Sequence, residues 1–509
     1  MRTEKSIKNL FFSLIGQTFA ILISFVSRYF FVRLLATEYL GLNGLFTNIL
    51  TILSFVELGI GPALTFALYE PLKNKDKEKI KSLMYVFKKS YIYIGTIIII
   101  LGILLTPFIK LLISDLPSIK NLHLIYILFV INSGVSYFGS YKKTLLTSDQ
   151  KGYKVSMMHY ICFFLMNVFQ ILVLFFTKNF ILYLIIQIIF TILENVVSSI
   201  FVNKEYCYIK ENAKPLDMKT KSILKKNILA MIIHKFGSII VTATDNLLLS
   251  KYIGLTAVAI YSNYYLIINN VHKVLKQLFN SVIASVGNLG AEHNNNKLLN
   301  VFNNINFVNI LLHSIISIYL LVLFQDFIQI WVGKNFLFDY KIVIVLVLCF
   351  YFTGLRNSVL LFKDALGLYW QDRFKAFFEA IINLIVSILL VLKFGVIGVF
   401  LGTLISTLTT CFWIEPYVLY KHGFKKSSIS YFSRVLKSTL VSIFIFLVTI
   451  YICNFIKFSP LINLILKFFV CSLIMFFTYF ILYKDNEEIK YFKNIVNNIR
   501  RRVLKWLEK

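Results

Sequence analysis

The stretch that decides the fold runs from residue 28 to residue 72 and reads RYFFVRLLATEYLGLNGLFTNILTILSFVELGIGPALTFALYEPL. Apolar residues flank a short polar turn, ATE, on both sides. Each flank continues long enough to cross about 30 Å of hydrocarbon at 1.5 Å per helical residue. The stretch therefore predicts two membrane-spanning helices joined by a short connection.

The rest of the chain repeats this pattern. Of 509 residues, 58% are hydrophobic, 50 are Phe and only 15% are charged, which excludes a single water-soluble core under a polar surface. We count about fourteen apolar runs of spanning length. They are predicted to be helices, because isolated strands would leave backbone amides unpaired in lipid. The fold class expected is an all-α integral membrane protein with about fourteen transmembrane helices.

The net charge of +29 is explained by its position. If the spans alternate and both termini are cytoplasmic, about 38 of the 53 Lys and Arg fall in cytoplasmic segments and about 9 in external ones. The main clusters, at 73–89, 204–226 and 421–437, lie near span ends, where they would meet anionic lipid. This favours membrane lipids over nucleic acid as partners.

A sequence repeat organises the chain. LLATEYLGL at 34–42 returns as LLLSKYIGL at 247–255, and QKGYK at 150–154 returns as QDRFK at 371–375. PFIKLLI at 107–113 similarly matches DFIQIWV at 326–332. Because each unit holds an even number of spans, the repeat predicts two parallel six-helix bundles related by an axis along the membrane normal. Such a pair is typical of alternating-access transport.

The domains expected are an N-terminal lobe at 1–213, a C-terminal lobe at 214–420, two additional spans at 421–483 and a basic amphipathic cytoplasmic tail at 484–509. In the tail, apolar residues at helical spacing alternate with Arg500, Arg501, Arg502 and Lys505. This pattern indicates a helix on the inner membrane surface.

Residues 28–72, together with DNLLLSKYIGLTAVAIYSNY at 245–264, resemble the polysaccharide-transporter branch of the multidrug/oligosaccharidyl-lipid/polysaccharide (MOP) exporter superfamily, the Wzx-type flippases. The resemblance covers essentially the whole chain and implies a MATE-like fold. It also implies location in the bacterial plasma (inner) membrane and translocation of undecaprenyl-pyrophosphate-linked oligosaccharide repeat units from its inner to its outer leaflet, for capsule, exopolysaccharide or O-antigen synthesis. A polysaccharide polymerase and glycosyltransferases are the implied protein partners.

A flippase forms no covalent bond, so its candidate residues are polar groups within spans, where a charge costs on the order of 3 kcal/mol. The best pattern lies on the eighth span, where polar residues recur every three or four positions and share one helix face. The members we single out are Asn269, Lys273, Lys276 and Asn280. The alternative is that the two lysines extend to the cytoplasmic interface.

Three further cations complete a predicted cationic central cleft, which would bind a pyrophosphate: Arg28, Lys235 and Arg356. For Arg28 the alternative is anchoring at the external interface. For Arg356 it is a structural ion pair with a neighbouring carboxylate.

The candidate coupling or ion-pair carboxylates are Glu57, Asp245 and Glu379. Glu57 precedes GIGP at 59–62, where Gly and Pro are expected to bend the helix. It is either a group that couples transport to H⁺ or Na⁺ or the partner of a buried cation, Lys273 or Arg356. Asp245 is otherwise a capping or bundle-pairing residue.

Two other functions compete with the flippase. A MATE-type cation-coupled drug or solute antiporter would need a carboxylate-rich pocket, whereas the predicted stripe is basic. A membrane glycosyltransferase or polymerase would need an acidic metal-binding motif or a large external loop, and the sequence has neither. The six cysteines are scattered without metal-ligand spacing, so no metal and no disulfide are expected. The motifs GxGxxG, GxxxxGK and HExxH do not occur, so neither a cofactor nor enzymatic activity is expected.

Overall fold

The computed structural model describes residues 2–57, 60–113, 119–211, 243–280, 294–368 and 371–483, with isolated positions in the intervals between 211 and 243 and between 280 and 294. Side chains are described from Ile15 onward. The predicted cytoplasmic tail at 484–509 lies outside the described residues. Within these ranges the regular structure is helical.

The first compact unit comprises residues Met1–Ser262. Its helices are α1 (Arg2–Leu34), α2 (Thr37–Leu53), α3 (Ile60–Asn74), α4 (Lys77–Leu105), α5 (Leu122–Tyr137), α6 (Tyr141–Ser148), α7 (Gly152–Thr177), α8 (Phe180–Glu205) and α9, the helical residues 243–252. The helix α10 (Leu255–Asn280) begins in this unit and ends in the next.

The second compact unit comprises Asn263–Lys509. It continues with α11 (Asn295–Trp331), α12 (Tyr340–Leu366), α13 (Lys375–Phe394), α14 (Val396–Thr409), α15 (Cys411–Val418), α16 (Ile429–Cys453) and α17 (Pro460–Tyr483). A π-helical turn, Leu419–Phe424, follows α15. Its buried aromatic side chains join a core that also includes Phe302 and Phe362.

Ten of the described helical segments are long and apolar enough to cross a membrane, and an eleventh arises if α5 and α6, bent by 42°, form one span. The chain is therefore a multi-pass, all-helical membrane protein in the part that the structure describes. Many large apolar side chains are exposed on these helices, as lipid-facing surfaces require. The full set of fourteen spans stays a prediction.

Two of the predicted spans, the second and the eighth, are not among the ten segments long and apolar enough to cross a membrane, and each has a physical reason. The second is interrupted, because α2 ends at Leu53, a short 3₁₀ segment covers Ser54–Glu57, and α3 begins at Ile60. This break lies where Gly and Pro led us to expect one. The eighth, α10, has 26 residues, enough for about 39 Å of helix, but its polar face lowers its hydropathy.

The two repeated turns allow the repeat to be placed more accurately. The first breaks the helix at Leu35 and Ala36, and the second breaks it at Ile253 and Gly254. The turns are thus 218 positions apart, close to the spacings of the other two matches, 219 and 221. Aligning LLATEYLGL directly with LLLSKYIGL gives a spacing of 213 positions, which is five fewer than the spacing of the two helix breaks.

Candidate functional site

Arg28 lies in α1 within the first unit and is partly buried. Its Nη1 donates a hydrogen bond to Ser262 Oγ at 2.8 Å. Ser262 lies on α10, about two turns before Asn269, the first of the polar residues singled out from the sequence. The first unit therefore connects Arg28 directly to the beginning of the polar face of α10.

The polar face of α10 continues through the predicted positions. Asn263 is fully buried and Asn269 is partly buried, whereas Lys273 and Lys276 are exposed. Asn280 belongs to the helix, but its side chain lies outside the described residues. Lys235 also lies outside them. On α10, the two lysines are thus the predicted cations whose side chains are accessible.

Glu57 ends the 3₁₀ segment between α2 and α3. Its Oε1 accepts a hydrogen bond from the Tyr91 hydroxyl at 3.2 Å. Gly61 lies against the same pair, since a Cβ added there would be 2.7 Å from the tyrosine oxygen. Glu57 is thus held at a helix break by a neutral donor. Asp245, the other carboxylate predicted in this unit, is buried in α9.

Arg356, on α12, is paired with two carboxylates. Its Nε and Nη2 contact the two oxygens of Glu415 at 2.9 and 2.8 Å, the bidentate geometry that suits a guanidinium and a carboxylate. Its Nη1 lies 3.4 Å from Oε1 of Glu379. Glu415 is fully buried on α15, and Glu379 is buried on α13. The guanidinium therefore has the ion-pair environment that was the structural alternative for this residue.

Lysines extend this network. Lys375, at the first position of α13, contacts Glu415 and lies 3.4 Å from Asp372. Asp372 also pairs with Lys363, a buried lysine on α12. The six groups comprise three cations and three carboxylates, so the network carries no net charge when all are ionised. We call these residues the unit-2 network: Arg356, Lys363, Asp372, Lys375, Glu379 and Glu415.

A related cluster lies in the first unit. Lys143 Nζ on α6 is 2.6 Å from Glu194 Oε1 on α8, and His159 Nδ1 on α7 is 3.2 Å from Glu194 Oε2. Glu415 follows Glu194 by 221 positions, the same spacing that separates QKGYK from QDRFK. Each unit thus places a carboxylate at the repeated position and pairs it with a lysine or arginine from another helix.

Sequence reasoning missed both of these carboxylates. Glu194 and Glu415 each interrupt a long apolar run, and each falls at the repeat spacing. These two signals together would have identified them. Because Glu415 balances the charge of Arg356, the excess of positive charge is smaller than the sequence predicted.

Residues 6–284 match the family model described as "Polysaccharide biosynthesis protein". Among solved structures, the chain is similar to a lipid II flippase MurJ in an inward closed conformation, with 17% identity, a TM-score of 0.67 and coverage of 93% of this chain and 99% of that one. A multidrug resistance MATE family transporter of the MOP superfamily, in an inward-facing conformation, has 13% identity and a TM-score of 0.64, with coverage of 84% and 99%.

A MOP superfamily transporter from Pyrococcus furiosus, described as having a binding pocket of reverse polarity, has 12% identity and a TM-score of 0.50, with coverage of 84% and 97%. No curated protein sequence gives a significant match. At these identities the structural matches establish the fold, which is that of MurJ and the MATE transporters. They also agree with the MATE-like fold that the sequence resemblance implied.

Proposed function

Because the chain belongs to the polysaccharide biosynthesis protein family, whose model matches residues 6–284, we propose that it is a flippase for lipid-linked oligosaccharides. The substrate proposed is an undecaprenyl-pyrophosphate-linked repeat unit, moved from the inner to the outer leaflet of the plasma membrane. The family membership confirms the resemblance inferred from residues 28–72 and supports a transporter of polysaccharide precursors. The identity of the lipid-linked substrate is the further step proposed.

The observation that carries the proposal is the polar face of α10. This helix is long enough to cross a bilayer but too polar to face lipid along its whole circumference. Asn269, Lys273 and Lys276 supply hydrogen-bond donors and positive charge on that face. A pyrophosphate carries the complementary charge, while the polyprenyl chain attached to it can remain in lipid.

The proposed cycle is alternating access through a central cleft lined by this face. The headgroup would load from the cytoplasmic side, the two bundles would rock, and the headgroup would leave at the outer leaflet. Lys273 and Lys276 would supply the positive charge that binds the pyrophosphate, since the charge of Arg356 is balanced by Glu415 and Glu379. Coupling to H⁺ or Na⁺ would use Glu57, which accepts a hydrogen bond from the Tyr91 hydroxyl and also interacts with Tyr137.

A cation-coupled antiporter is the second candidate, and the unit-2 network favours it. A MATE-type transporter needs buried carboxylates, and this network provides three, Asp372, Glu379 and Glu415. Each of them is already paired with a cation, so a transported cation would first have to displace Arg356 or a lysine. The flippase is therefore the function proposed first.

The test uses the full chain in proteoliposomes with a fluorescent polyprenyl-pyrophosphate-linked sugar, and it measures the rate at which the headgroup crosses the bilayer. Lys273→Gln/Lys276→Gln should reduce that rate at least tenfold. The matched control, Lys73→Gln/Lys75→Gln, removes two exposed lysines from the first unit and should change it less than twofold. Equal rates for the two variants would remove the support for the flippase and favour the antiporter.

A cellular measurement addresses the substrate. Deleting the gene should cause a lipid-linked saccharide to accumulate with its headgroup facing the cytoplasm. The parent gene should clear it, and the Lys273→Gln/Lys276→Gln variant should not. Normal surface polysaccharide after deletion, with no accumulated intermediate, would contradict the proposed function.

A further inference from the structure

A basic cavity lies in the second unit, and none of its lining residues belongs to α10. It has a volume of about 490 Å³ and is lined by Tyr417, Lys421, Lys425, Lys426, Ser427 and Ser428. Three of its six lining residues are lysines, and all three are exposed. The cavity is thus an accessible concave surface with concentrated positive charge.

The local backbone explains why the lysines converge. The π-helical turn at 419–424 buries Leu419, Tyr420 and Phe424 in the core of the unit, which leaves Lys421 on the outer side. Lys425 ends the turn in the left-handed region, with φ of 55°, and reverses the chain. The chain then enters α16, whose first residue is Ile429. The cavity is the concave side of this reversal.

The partners of the lysines within the described chain are neutral. Lys421 Nζ donates to the Tyr417 hydroxyl at 2.9 Å, and Lys426 Nζ donates to Asn296 Oδ1 at 3.0 Å. No Asp or Glu occurs in the sequence from residue 416 to residue 484. The positive charge of the cavity is therefore uncompensated by its own segment and by the helix that follows. The amino terminus of the 25-residue α16 adds a partial positive charge on one wall.

Exposed aromatic residues adjoin the cavity. Trp413, Tyr417 and Lys421 are spaced four residues apart and therefore follow one side of α15 and the turn after it. Trp413 and Tyr417 are 53% and 50% exposed, and the Trp413 ring packs against Phe432 with centroids 4.4 Å apart. Aromatic side chains followed by lysines are typical of the level where acyl chains meet headgroups.

We propose that this cavity binds the phosphate of an anionic membrane lipid, with Lys421, Lys425 and Lys426 around the phosphate and the acyl chain along Trp413 and Tyr417. Phosphate oxygens suit lysine ammonium groups and serine hydroxyls. The aromatic surface selects a phosphate attached to an apolar chain over a soluble one. This site is separate from the polar face of α10 and does not depend on the transported substrate.

Trp413 is a built-in reporter. Full-length protein is reconstituted into bilayers containing either dibrominated phosphatidylglycerol or dibrominated phosphatidylcholine, and the quenching of Trp413 is obtained by subtracting the signal of Trp413→Phe. The anionic lipid should quench at lower mole fraction, by at least about fivefold, which is the effect of one fully engaged lysine beside an anionic headgroup. Equal quenching by the two lipids would overturn the proposal.

Two triple variants test whether the preference for the anionic lipid arises at this cavity. Lys421→Gln/Lys425→Gln/Lys426→Gln should abolish the preference for the anionic lipid, whereas Lys73→Gln/Lys75→Gln/Lys88→Gln, which removes the same charge from exposed positions of the first unit, should retain it. Equal loss in both variants would show a diffuse surface potential and overturn the site.

Competition distinguishes the source of the phosphate. Inorganic phosphate is added at millimolar concentration, with potassium chloride at the same ionic strength as the reference. The lipid preference should be the same in both solutions. Its loss in phosphate alone would show that the cavity takes soluble phosphate and would overturn the lipid assignment. Because the readout is binding, these results are independent of whether the chain flips oligosaccharide lipids.

Discussion

Replacing Glu415 by glutamine should destabilise the second unit more than replacing Glu379, the other carboxylate that contacts Arg356. Glu415 is fully buried and accepts two hydrogen bonds from Arg356, at 2.9 and 2.8 Å, as well as a contact from Lys375. Removing one partner of a buried ion pair typically costs about 3–5 kcal/mol, because the remaining charge is left without compensation.

The structure places Glu415→Gln at the lower end of that range. After the change, Arg356 keeps Glu379 at 3.4 Å, and Lys375 keeps Asp372 at 3.4 Å. Each cation therefore retains one carboxylate, so we expect a loss of about 3 kcal/mol in the free energy of unfolding. Glu379→Gln removes only the longer contact and leaves the bidentate pair intact, so it should cost about 1 kcal/mol.

The assay is denaturant unfolding of the full chain in mixed micelles, followed for both single variants, for Arg356→Gln and for Arg356→Gln/Glu415→Gln. The double variant should be less destabilised than the sum of its parts by about 2 kcal/mol, since both members of the pair are absent. Glu70→Gln, an exposed glutamate in the first unit, is the control and should cost less than about 0.5 kcal/mol. A Glu379→Gln variant as unstable as Glu415→Gln, or strictly additive effects, would refute the reasoning.

Three further predictions concern other parts of the chain. Glu194→Gln should reproduce the effect of Glu415→Gln in the first unit at about 2 kcal/mol, as measured by unfolding, because Lys143 and His159 lose their shared carboxylate; no loss would weaken the equivalence of the two clusters. Gly398→Ala should sharply reduce the yield of folded protein, because the added Cβ would lie 2.2 Å from the Leu390 carbonyl oxygen. In the control Gly44→Ala the nearest contact of the Cβ is at 3.0 Å, so the yield should fall only slightly. Lys151 is partly buried, which lowers its pKa, but hydrogen bonds to Asp149, Glu205 and Tyr206 outweigh burial and raise the pKa above 10.5. Because a raised lysine pKa stabilises the fold fully at every pH below the pKa of the unfolded state, Lys151→Gln should lose the same stability at pH 6 and at pH 9. A loss of stability that grows between these two pH values would contradict the raised pKa.

The sequence by itself determined the class of the protein. Composition and the length of the apolar runs require a multi-pass helical membrane protein, because only helices of about 20 apolar residues satisfy their own backbone hydrogen bonds in lipid. The repeat at 150–154 and 371–375 also gave the spacing at which Glu194 and Glu415 recur. Even the break near Glu57 was indicated by the Gly and Pro that follow it.

The tertiary structure decided which charged side chains are paired with each other and which are accessible to a ligand. Arg356 and Glu415 are 59 positions apart, and periodicity along one helix carries no information about which residue of another helix lies 2.8 Å away. The basic cavity likewise arises from a π-helical turn that brings Lys421, Lys425 and Lys426 around one concave surface. A charged residue in an apolar run predicts a partner of opposite charge, since burying an unpaired charge is costly. Its partner is fixed only when the helices pack.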